Sequence, residues 1–298
     1  MTSHSPARRA KRLQPTAGRR YIGRVSQKPR PDPPIVVLTD FGERDWFVGV
    51  MKGVIAGIAP ERTVIDLCHE VPPGDVAAAA LMLEAAGPYF PPGSVFCCVV
   101  DPGVGTERRV LLAEWQGRYY VGPDNGLLAG PGPEARYFAF ELERHLELVA
   151  RGIISTTFHG RDIFAPLAAH VSRGLSPARL GTEIFDPVVL HQARPEKKSD
   201  GGVRGRVQYV DRFGNLITNL RFAEIVGEFP AVASENWTLR VADRIIRGIS
   251  VSYGGRAPGE YLVYVGSLGY LEIAINGGDA ARLLSCAVGD EVELACAV

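Results

Sequence analysis

The sequence predicts an α/β protein, with an N-terminal mixed, mostly parallel sheet and flanking helices, followed by a small all-β barrel domain. Two patterns lead to this prediction. Residues 34–100 alternate β-branched runs with segments of helical periodicity, in the order strand, helix, strand, helix, strand. Beyond residue 203, short alternating runs are separated by turn residues, as in a barrel or sandwich. The 298 residues are enough for two domains with a large buried core.

Residues 1–33 are expected to form a disordered basic tail. Nine Lys and Arg and no acid lie within residues 1–31, although the whole chain balances 33 basic against 33 acidic residues. The tail has too few apolar residues to offset the entropy cost of ordering. Transit peptides and nonspecific nucleic-acid arms share this composition. The remainder of the chain is acidic, which argues against nucleic-acid binding by the folded part.

The N-terminal α/β domain is assigned to residues 34–190. Its strands are predicted at residues 34–39, 63–67, 95–100, 110–115 and 118–121. The first of them, PIVVLT, is a continuous apolar run of the kind found in strands buried on both faces. Helices are predicted from Asp45, from Asp75, and from Asp162 to Val171.

The first predicted helix carries three glycines spaced four residues apart: Gly49, Gly53 and Gly57. Each glycine lowers helix propensity by about 1 kcal/mol. We therefore expect this smooth ridge to pack closely against a neighbouring element.

Residues 191–202 are polar, contain Pro195 and Gly201, and are predicted to form a linker. The C-terminal β-barrel domain is assigned to residues 203–298. Its strands are predicted at residues 203–210, 237–241, 261–265, 271–275 and 291–296.

The five cysteines are odd in number and form no C-x-x-C motif. Cys97 and Cys98 lie inside an apolar run, which predicts buried, reduced thiols and a reducing compartment. No apolar stretch reaches the roughly 18 residues of a membrane span. We therefore expect a cytoplasmic protein without membrane association.

Three predicted strands end in ionisable residues, namely Asp40, His69 and Asp101. In open α/β sheets, ligands bind beyond the carboxyl ends of the strands. An acid such as Asp40 can accept both hydroxyls of a ribose, although a turn or capping carboxylate explains it equally well. These strand ends predict a ligand site.

Residues 101–109, DPGVGTERR, contain G-x-G but lack the third glycine of a dinucleotide loop and the G-K-[ST] of a P-loop. A tight loop that places Asp101 near Arg108 is the favoured interpretation, with a structural ion pair as the alternative. His159 precedes a predicted helix for which Asp162 is a plausible N-cap. Histidine is the usual proton handler near neutral pH.

Residues 211–215, DRFGN, can be interpreted in two ways. An exposed aromatic beside an amide can stack on and hydrogen-bond to a purine. Glycine and asparagine also favour turns, and from this segment alone a hairpin is the preferred interpretation.

Eight runs, in order along residues 34–298, resemble one known family. The runs are LTDFG, MKGVI, HEVPPGD, DPGVGT, PDNGLL, FHGRDIFAP, DRFGNLITN and SLGYLEIA. The family is the S-adenosylmethionine hydroxide adenosyltransferases, the hydrolase relatives of the fluorinase and chlorinase. The resemblance implies an N-terminal α/β domain and a C-terminal β-barrel, assembled as a homotrimer with the ligand between neighbouring chains. It also implies a reaction in which water or hydroxide attacks the ribose C5′ and methionine leaves.

The resemblance also implies roles for individual residues. The water-positioning triad corresponds to Asp101, Arg108 and His159. The substrate-binding residues correspond to Asp40 at the ribose, Phe158 beside the reacting carbon, Asp211 and Ser267 at the methionine end, and Phe213, Asn215 and Tyr253 around the adenine. The halogenases have Tyr, Tyr and Ser where this chain has Asp101, His159 and Gly160. Leu268 stands where the fluorinase has an Arg near the carboxylate, which puts that contact in doubt.

The leaving group is a sulfonium that departs as a neutral thioether, so the reaction needs no general acid. Neither a cofactor nor a metal is expected, since the acids occur without the His or Cys spacing of a zinc site. Three alternatives stay open: a metal-dependent hydrolase that uses Asp40, His69, Asp101 and His159, a non-catalytic adenosine or S-adenosylmethionine sensor, and a halogenase.

Overall fold

The structure is a computed structural model that describes residues 32–129, 134–149, 153–191, 193–199, 201–227 and 234–296. Residues 33–298 form one compact unit. The expected disordered tail lies outside the described residues except for its last two positions.

A seven-stranded sheet forms the N-terminal part of this unit. Its strands are β1 (Ile35–Thr39), β2 (Val64–Cys68), β3 (Val95–Val99), β4 (Val110–Trp115), β5 (Arg118–Pro123), β6 (Arg136–Phe140) and β7 (Gly181–Ile184). The strand order is β2-β1-β3-β5-β4-β6-β7. Only β4 and β7 run against the other five strands. The predicted mixed, mostly parallel sheet is therefore confirmed.

Helices cover both faces of this sheet. They are α1 (Phe47–Ile58), α2 (Val76–Ala86), α3 (Ala165–Ser172) and the one-turn α4 (Pro177–Leu180), and a π-helical segment, Gly160–Phe164, leads directly into α3. Along β1, Ile35 and Val37 pack into one core layer while Val36 and Leu38 pack into the other. This alternation is the physical reason for the unbroken apolar run in the sequence.

Two predicted helix starts differ from the structure. The helix expected from Asp45 begins at Phe47, and no side chain caps it. Asp162 is not an N-cap, because the chain is already helical at Gly160 and Asp162 is buried within the π-helical segment. The helix predicted from Asp75 agrees with the structure. Asp75 is the N-cap of α2 and accepts a hydrogen bond from Ala78 N at 2.9 Å.

The glycine ridge of α1 does not pack as expected. A Cβ added at Gly49 or Gly53 would meet no atom within 4 Å among the described residues. The helix buries its opposite face instead, through Val48, Met51 and Ile55.

The cysteines of β3 are buried and free, as predicted for reduced thiols. Burial raises the pKa of the Cys97 thiol to about 12. Neither Cys97 nor Cys98 is therefore a ready nucleophile.

The C-terminal part is a curled, barrel-like sheet. Its strands are β8 (Glu196–Lys197), β9 (Val203–Val210), β10 (Leu216–Arg221), β11 (Trp237–Val241), β12 (Arg244–Arg247), β13 (Ile249–Ser250), β14 (Tyr261–Val265), β15 (Tyr270–Ile275) and β16 (Glu291–Cys296), with the short helices α5 (Phe222–Val226) and α6 (Ala280–Leu284). The order is β12-β11-β16-β9-β10-β15-β14-β13, with β8 paired to β9. Because β12 lies close to β14, the sheet nearly closes on itself. The expected barrel domain is thus confirmed as a fold.

The barrel packs against α2 of the N-terminal sheet. Arg221 forms an ion pair with Glu84, and Tyr270 lies beside the same carboxylate. Leu81 and Ile217 form a small apolar cluster next to these polar contacts. None of the helices in the described ranges is both long and apolar enough to cross a membrane.

Candidate active site

Asp101, Arg108 and His159 form a connected cluster at the end of β3. Arg108 Nε lies 3.0 Å from both carboxylate oxygens of Asp101, and Arg108 Nη2 also donates to that carboxylate. The same Nη2 donates to His159 Nδ1 at 2.8 Å. The tight loop that the sequence predicted therefore exists, and it brings all three side chains together.

A glycine explains how residues 51 positions apart meet. Gly105 has a φ of +79°, and a Cβ there would collide with the carbonyl oxygen of Thr156. Since only glycine fits this conformation and this close approach, the loop after β3 lies directly against the segment that leads to His159.

The Arg108 contact fixes the state of His159. A guanidinium can only donate, so Nδ1 must be an unprotonated acceptor. The neutral ring therefore carries its proton on Nε2. Burial, together with the charge of Arg108, lowers the pKa of His159 from its usual 6.5. Arg108 itself stacks over the Phe164 ring, with Cζ 5.2 Å from the ring centroid.

Phe158 belongs to an aromatic cluster beside this triad. Its ring lies 6.0 Å from Phe41 and 5.2 Å from Phe47, edge to face in both cases. Gly160 lies under the cluster, where a Cβ would come within 3.2 Å of Met51 Sδ and 3.3 Å of Phe41. A larger residue at position 160 would have to displace these groups.

Asp162 stabilises the π-helical segment that carries His159. It accepts from Ser155 N at 2.8 Å and pairs with Arg161 at 2.6 Å. Burial alone would raise the pKa of Asp162, but the hydrogen bonds from Arg161 and Ser155 hold it below its usual value. Asp162 is therefore a structural anion of this segment.

Asp40 follows β1, next to the triad loop. Its Oδ2 accepts a hydrogen bond from Gly74 N at 2.8 Å. A Cβ at Gly74 would lie 3.8 Å from Pro102, so the loops that follow β2 and β3 meet beside Asp40. The strand ends of β1 and β3 converge as predicted.

His69 does not join this group of residues. It is buried, with Nδ1 2.9 Å from Thr39 Oγ1 and Nε2 3.0 Å from Asp66 Oδ1. It therefore links the ends of β1 and β2 through hydrogen bonds within the core. In the part of the chain that the structure describes, no three His, Cys, Asp or Glu side chains are placed to hold a metal ion.

A second group of predicted residues lies at the end of the barrel. Asp211 accepts from Phe213 N at 2.8 Å, Asn215 N at 2.9 Å and Asn215 Nδ2 at 2.8 Å. Asn215 Nδ2 also lies 3.0 Å from Tyr253 Oη. Asn215 is buried, whereas Phe213 is 76% exposed. Together with Tyr253, they line a cavity of about 420 Å³.

The two interpretations of residues 211–215 are therefore compatible. The segment is the turn of the β9–β10 hairpin, and it also presents an aromatic face and a buried amide to a cavity.

Ser267 and Leu268 lie in the turn between β14 and β15, closed by Gly266 N donating to Tyr270 O at 2.8 Å. Ser267 is exposed. Leu268 packs into the apolar cluster of Leu81, Ile217 and Tyr270.

The structure thus gathers the sequence-predicted residues into two groups. Asp40, Asp101, Arg108, Phe158 and His159 belong to the N-terminal sheet, and Asp211, Phe213, Asn215 and Tyr253 belong to the barrel. Among the described residues of one chain, no hydrogen bond, ion pair or ring contact joins the two groups.

Two family models match this architecture half by half. The SAM hydroxide adenosyltransferase N-terminal domain matches residues 35–181, and the C-terminal domain of the same name matches residues 205–293.

The chain belongs to the SAM hydroxide adenosyltransferase family. The (R)-S-adenosyl-L-methionine hydrolase of Thermus thermophilus is 41% identical over 88% of this chain and 99% of that protein. A fluorinase of an Actinoplanes species is more distant, at 26% identity over 84% of this chain and 93% of that protein. The crystal structure of an uncharacterized conserved protein from Thermotoga maritima superposes with a TM-score of 0.79, at 38% identity over 88% of this chain and all of that chain.

Two polar residues of the adenosyltransferase barrel escaped the sequence reasoning. Tyr264 and Glu272 lie opposite each other across β14 and β15, and Tyr264 Oη donates to the Glu272 carboxylate. The signal was present as a single acid within the otherwise apolar run YLEIAI. A buried acid in such a strand needs a partner.

Proposed function

We propose that this chain hydrolyses S-adenosyl-L-methionine to adenosine and L-methionine by attack of water on the ribose C5′. The observation that carries the proposal is the position of Arg108, whose guanidinium donates hydrogen bonds to both Asp101 and His159. The names of the curated relatives support the same activity.

In the proposed step, the water oxygen forms a bond to C5′ while the C5′–S bond breaks. The bonding pair goes to sulfur, which leaves as the neutral thioether of methionine. The water must also lose a proton. Holding water in line with the C–S bond supplies part of the rate enhancement, and a nearby acceptor for the proton supplies more.

The proposal divides these tasks within the triad. His159 Nδ1 is occupied by Arg108, so the neutral ring offers its Nε2 hydrogen to the water oxygen and does not take a proton. Arg108 is a donor only. We assign proton acceptance to Asp101, through a lone pair not used by Arg108, and stabilisation of the developing hydroxide to Arg108 and His159.

The remaining roles follow the two groups of residues. Asp40 binds the ribose hydroxyls, and Phe158 lies beside the reacting carbon. Phe213, Asn215 and Tyr253 surround the adenine, while Asp211 and Ser267 hold the methionine end. Asp211 already accepts three hydrogen bonds within its turn. Its proposed contact with methionine would therefore be made in addition to a structural role in that turn.

We further propose that the active form is a homotrimer in which the sheet group of one chain faces the barrel group of its neighbour. The separation of the two groups within one chain and the exposure of Phe213 support a shared site. In this proposal the protein is cytoplasmic, binds neither nucleic acid nor membranes, and divides into a 34–190 domain, a 191–202 linker and a 203–298 domain. It uses no cofactor and no metal.

Product analysis tests the proposal directly. Purified protein incubated with S-adenosyl-L-methionine should release adenosine and methionine in equal amounts, with or without chloride and after prolonged EDTA treatment. A 5′-halogenated adenosine as the main product would identify a halogenase. Activity lost on dialysis and restored by zinc or magnesium would identify a metal-dependent enzyme, and an intact ligand would identify a sensor.

A further inference from the structure

Four side chains at the barrel end form one continuous line of hydrogen bonds. Asn215 Nδ2 lies 3.0 Å from Tyr253 Oη, which lies 2.7 Å from Tyr264 Oη. Tyr264 Oη in turn contacts the Glu272 carboxylate. One end of this line borders the cavity, and the other end is buried within the barrel.

With the Glu272 side chain ionised, the direction of every hydrogen bond in this line follows from the donors and acceptors present. Asn215 Nδ2 lies within 2.8 Å of the Asp211 carboxylate, so this atom must be the amide nitrogen. It gives its second hydrogen to Tyr253 Oη. An ionised Glu272 only accepts, so the hydroxyl hydrogen of Tyr264 goes to Glu272, and Tyr264 Oη then accepts the hydroxyl hydrogen of Tyr253. Hydrogen bonds that align in one direction strengthen one another.

The hydrogen-bond direction determines whether the polar side chains at the cavity can donate to a ligand or only accept from it. Both Nδ2 hydrogens of Asn215 and the hydroxyl hydrogen of Tyr253 are used inside the protein. Asn215 Oδ1 makes no hydrogen bond to any described residue, and it is an acceptor only. The polar side chains here can accept from a ligand but have no hydrogen to donate. They fit a ligand edge that carries an amine and oppose one that carries a carbonyl.

We propose that Tyr264 and Glu272 are positioning residues that fix this polarity and thereby select a 6-amino purine over a 6-oxo purine. The inference rests on the proposed function for the placement of the adenine beside Asn215. It goes further by assigning base selection to two residues that border no part of the cavity.

Two further observations show that the fold accommodates the buried carboxylate of Glu272. The residue is only 8% exposed, and a Cβ at Gly266 would collide with its carboxylate. The glycine therefore leaves room for a buried acid, which is costly without a partner. Burial and the Glu272 carboxylate raise the pKa of Tyr264, so its phenol stays protonated and remains a donor. Burial also raises the pKa of Glu272, while the hydrogen bond from Tyr264 opposes that rise and favours the ionised carboxylate.

The matched variants are Tyr264→Phe and Glu272→Gln. Without the Tyr264 hydroxyl, the Tyr253 hydrogen loses its acceptor and can turn to a carbonyl on the base. A glutamine at 272 can donate to Tyr264 and reverse the line, with the same result. Tyr261→Phe is the control, since Tyr261 lies on the same strand but its hydroxyl is outside this line.

Two measurements test the inference. Calorimetry compares the affinities of adenosine and inosine, and kcat/KM compares S-adenosyl-L-methionine with S-inosyl-L-methionine. The wild type should prefer the amino base by on the order of 10²-fold, because a 6-oxo group would leave a buried acceptor without a donor. Tyr264→Phe and Glu272→Gln should lower this ratio by about tenfold, the effect of one hydrogen bond, while Tyr261→Phe should keep it.

Each outcome decides one question. Wild-type ratios in both folded variants, or a wild type that binds inosine as well as adenosine, would overturn the inference. If Glu272→Gln does not fold, Tyr264→Phe decides alone, because it removes a single oxygen atom. A wild type that prefers adenosine but leaves S-adenosyl-L-methionine intact would overturn the proposed function, and the binding ratio would still test the polarity of the line.

Discussion

Arg108 Nη2 lies 2.8 Å from His159 Nδ1, and this single contact decides the tautomer of the histidine. Because a guanidinium has no lone pair to offer, the ring nitrogen must accept. His159 can then hold water through Nε2–H while its other nitrogen is occupied. The same guanidinium is anchored by Asp101, so the three side chains act as one unit.

The donor role of His159 predicts that His159→Gln retains more activity than His159→Ala. A glutamine can accept from Arg108 through Oε1 and donate through Nε2, as the neutral ring does. We expect His159→Ala to lower kcat on the order of 10²–10⁴-fold and His159→Gln to recover a substantial part of that loss. Single-turnover rates measure both. Equal loss in the two variants would contradict the donor role of His159.

The lowered pKa of His159 predicts an acid limb in the pH profile. The ordinary value is 6.5, and burial with the Arg108 charge depresses it. Protonation would place two cations in contact, so kcat should hold as pH falls through 6.5 and decline only at lower pH. By linkage, the stability that this group contributes is present above pH 6.5 and is lost as pH falls through the lowered pKa.

Variants at two histidines check this assignment. His159→Gln should abolish the limb, whereas His170→Gln should leave it in place. The pKa of His170 is also lowered, by burial and by Arg173, but His170 makes no contact with the triad. A limb that persists in His159→Gln would assign the titration to another group.

Asp101 and Asp40 should separate chemistry from binding. Asp101→Asn should lower kcat on the order of 10²–10⁴-fold and leave the affinity for S-adenosyl-L-methionine almost unchanged, as for an interaction made mainly in the transition state. Asp40→Ala should weaken ligand binding instead, because it removes the acceptor for the ribose hydroxyls. Calorimetry alongside single-turnover rates distinguishes the two. A wild-type rate in Asp101→Asn would make this carboxylate structural.

A shared site predicts that two inactive variants complement each other. Asp101→Asn disables the sheet group, and Asn215→Ala disables the barrel group. In a cyclic trimer assembled from equal amounts of both chains, about a quarter of the sites would combine two intact groups. Refolding the variants together should therefore restore activity that neither has alone, and ultracentrifugation should show a trimer. A fully active monomer, or no restored activity in mixed trimers, would contradict the shared site.

Much of the fold was predictable because it depends on local patterns. The apolar run of β1 and the helical spacing of α1 reflect burial on the two faces of one sheet. Some strands that the sequence reasoning missed are short, such as β7 and β12, whereas β6 and β10 have the length and apolar content of ordinary strands and were missed as well. β7 takes its hydrogen bonds from β6, about 40 residues earlier in the chain, so its own residues carry little signal.

The sequence by itself determined the fold class, the family resemblance and the residues proposed for the triad, because strand ends, glycine loops and ordered motifs are local. Only the tertiary structure decided how those side chains are placed and hydrogen-bonded. The tautomer of His159 depends on Arg108, which is 51 positions away. The amide orientation of Asn215 depends on Asp211, and the direction of the Tyr253 hydroxyl depends on a line of groups that ends at Glu272. The direction of a hydrogen bond depends on which donors and acceptors are neighbours in space. The order of residues along the chain does not by itself determine those neighbours.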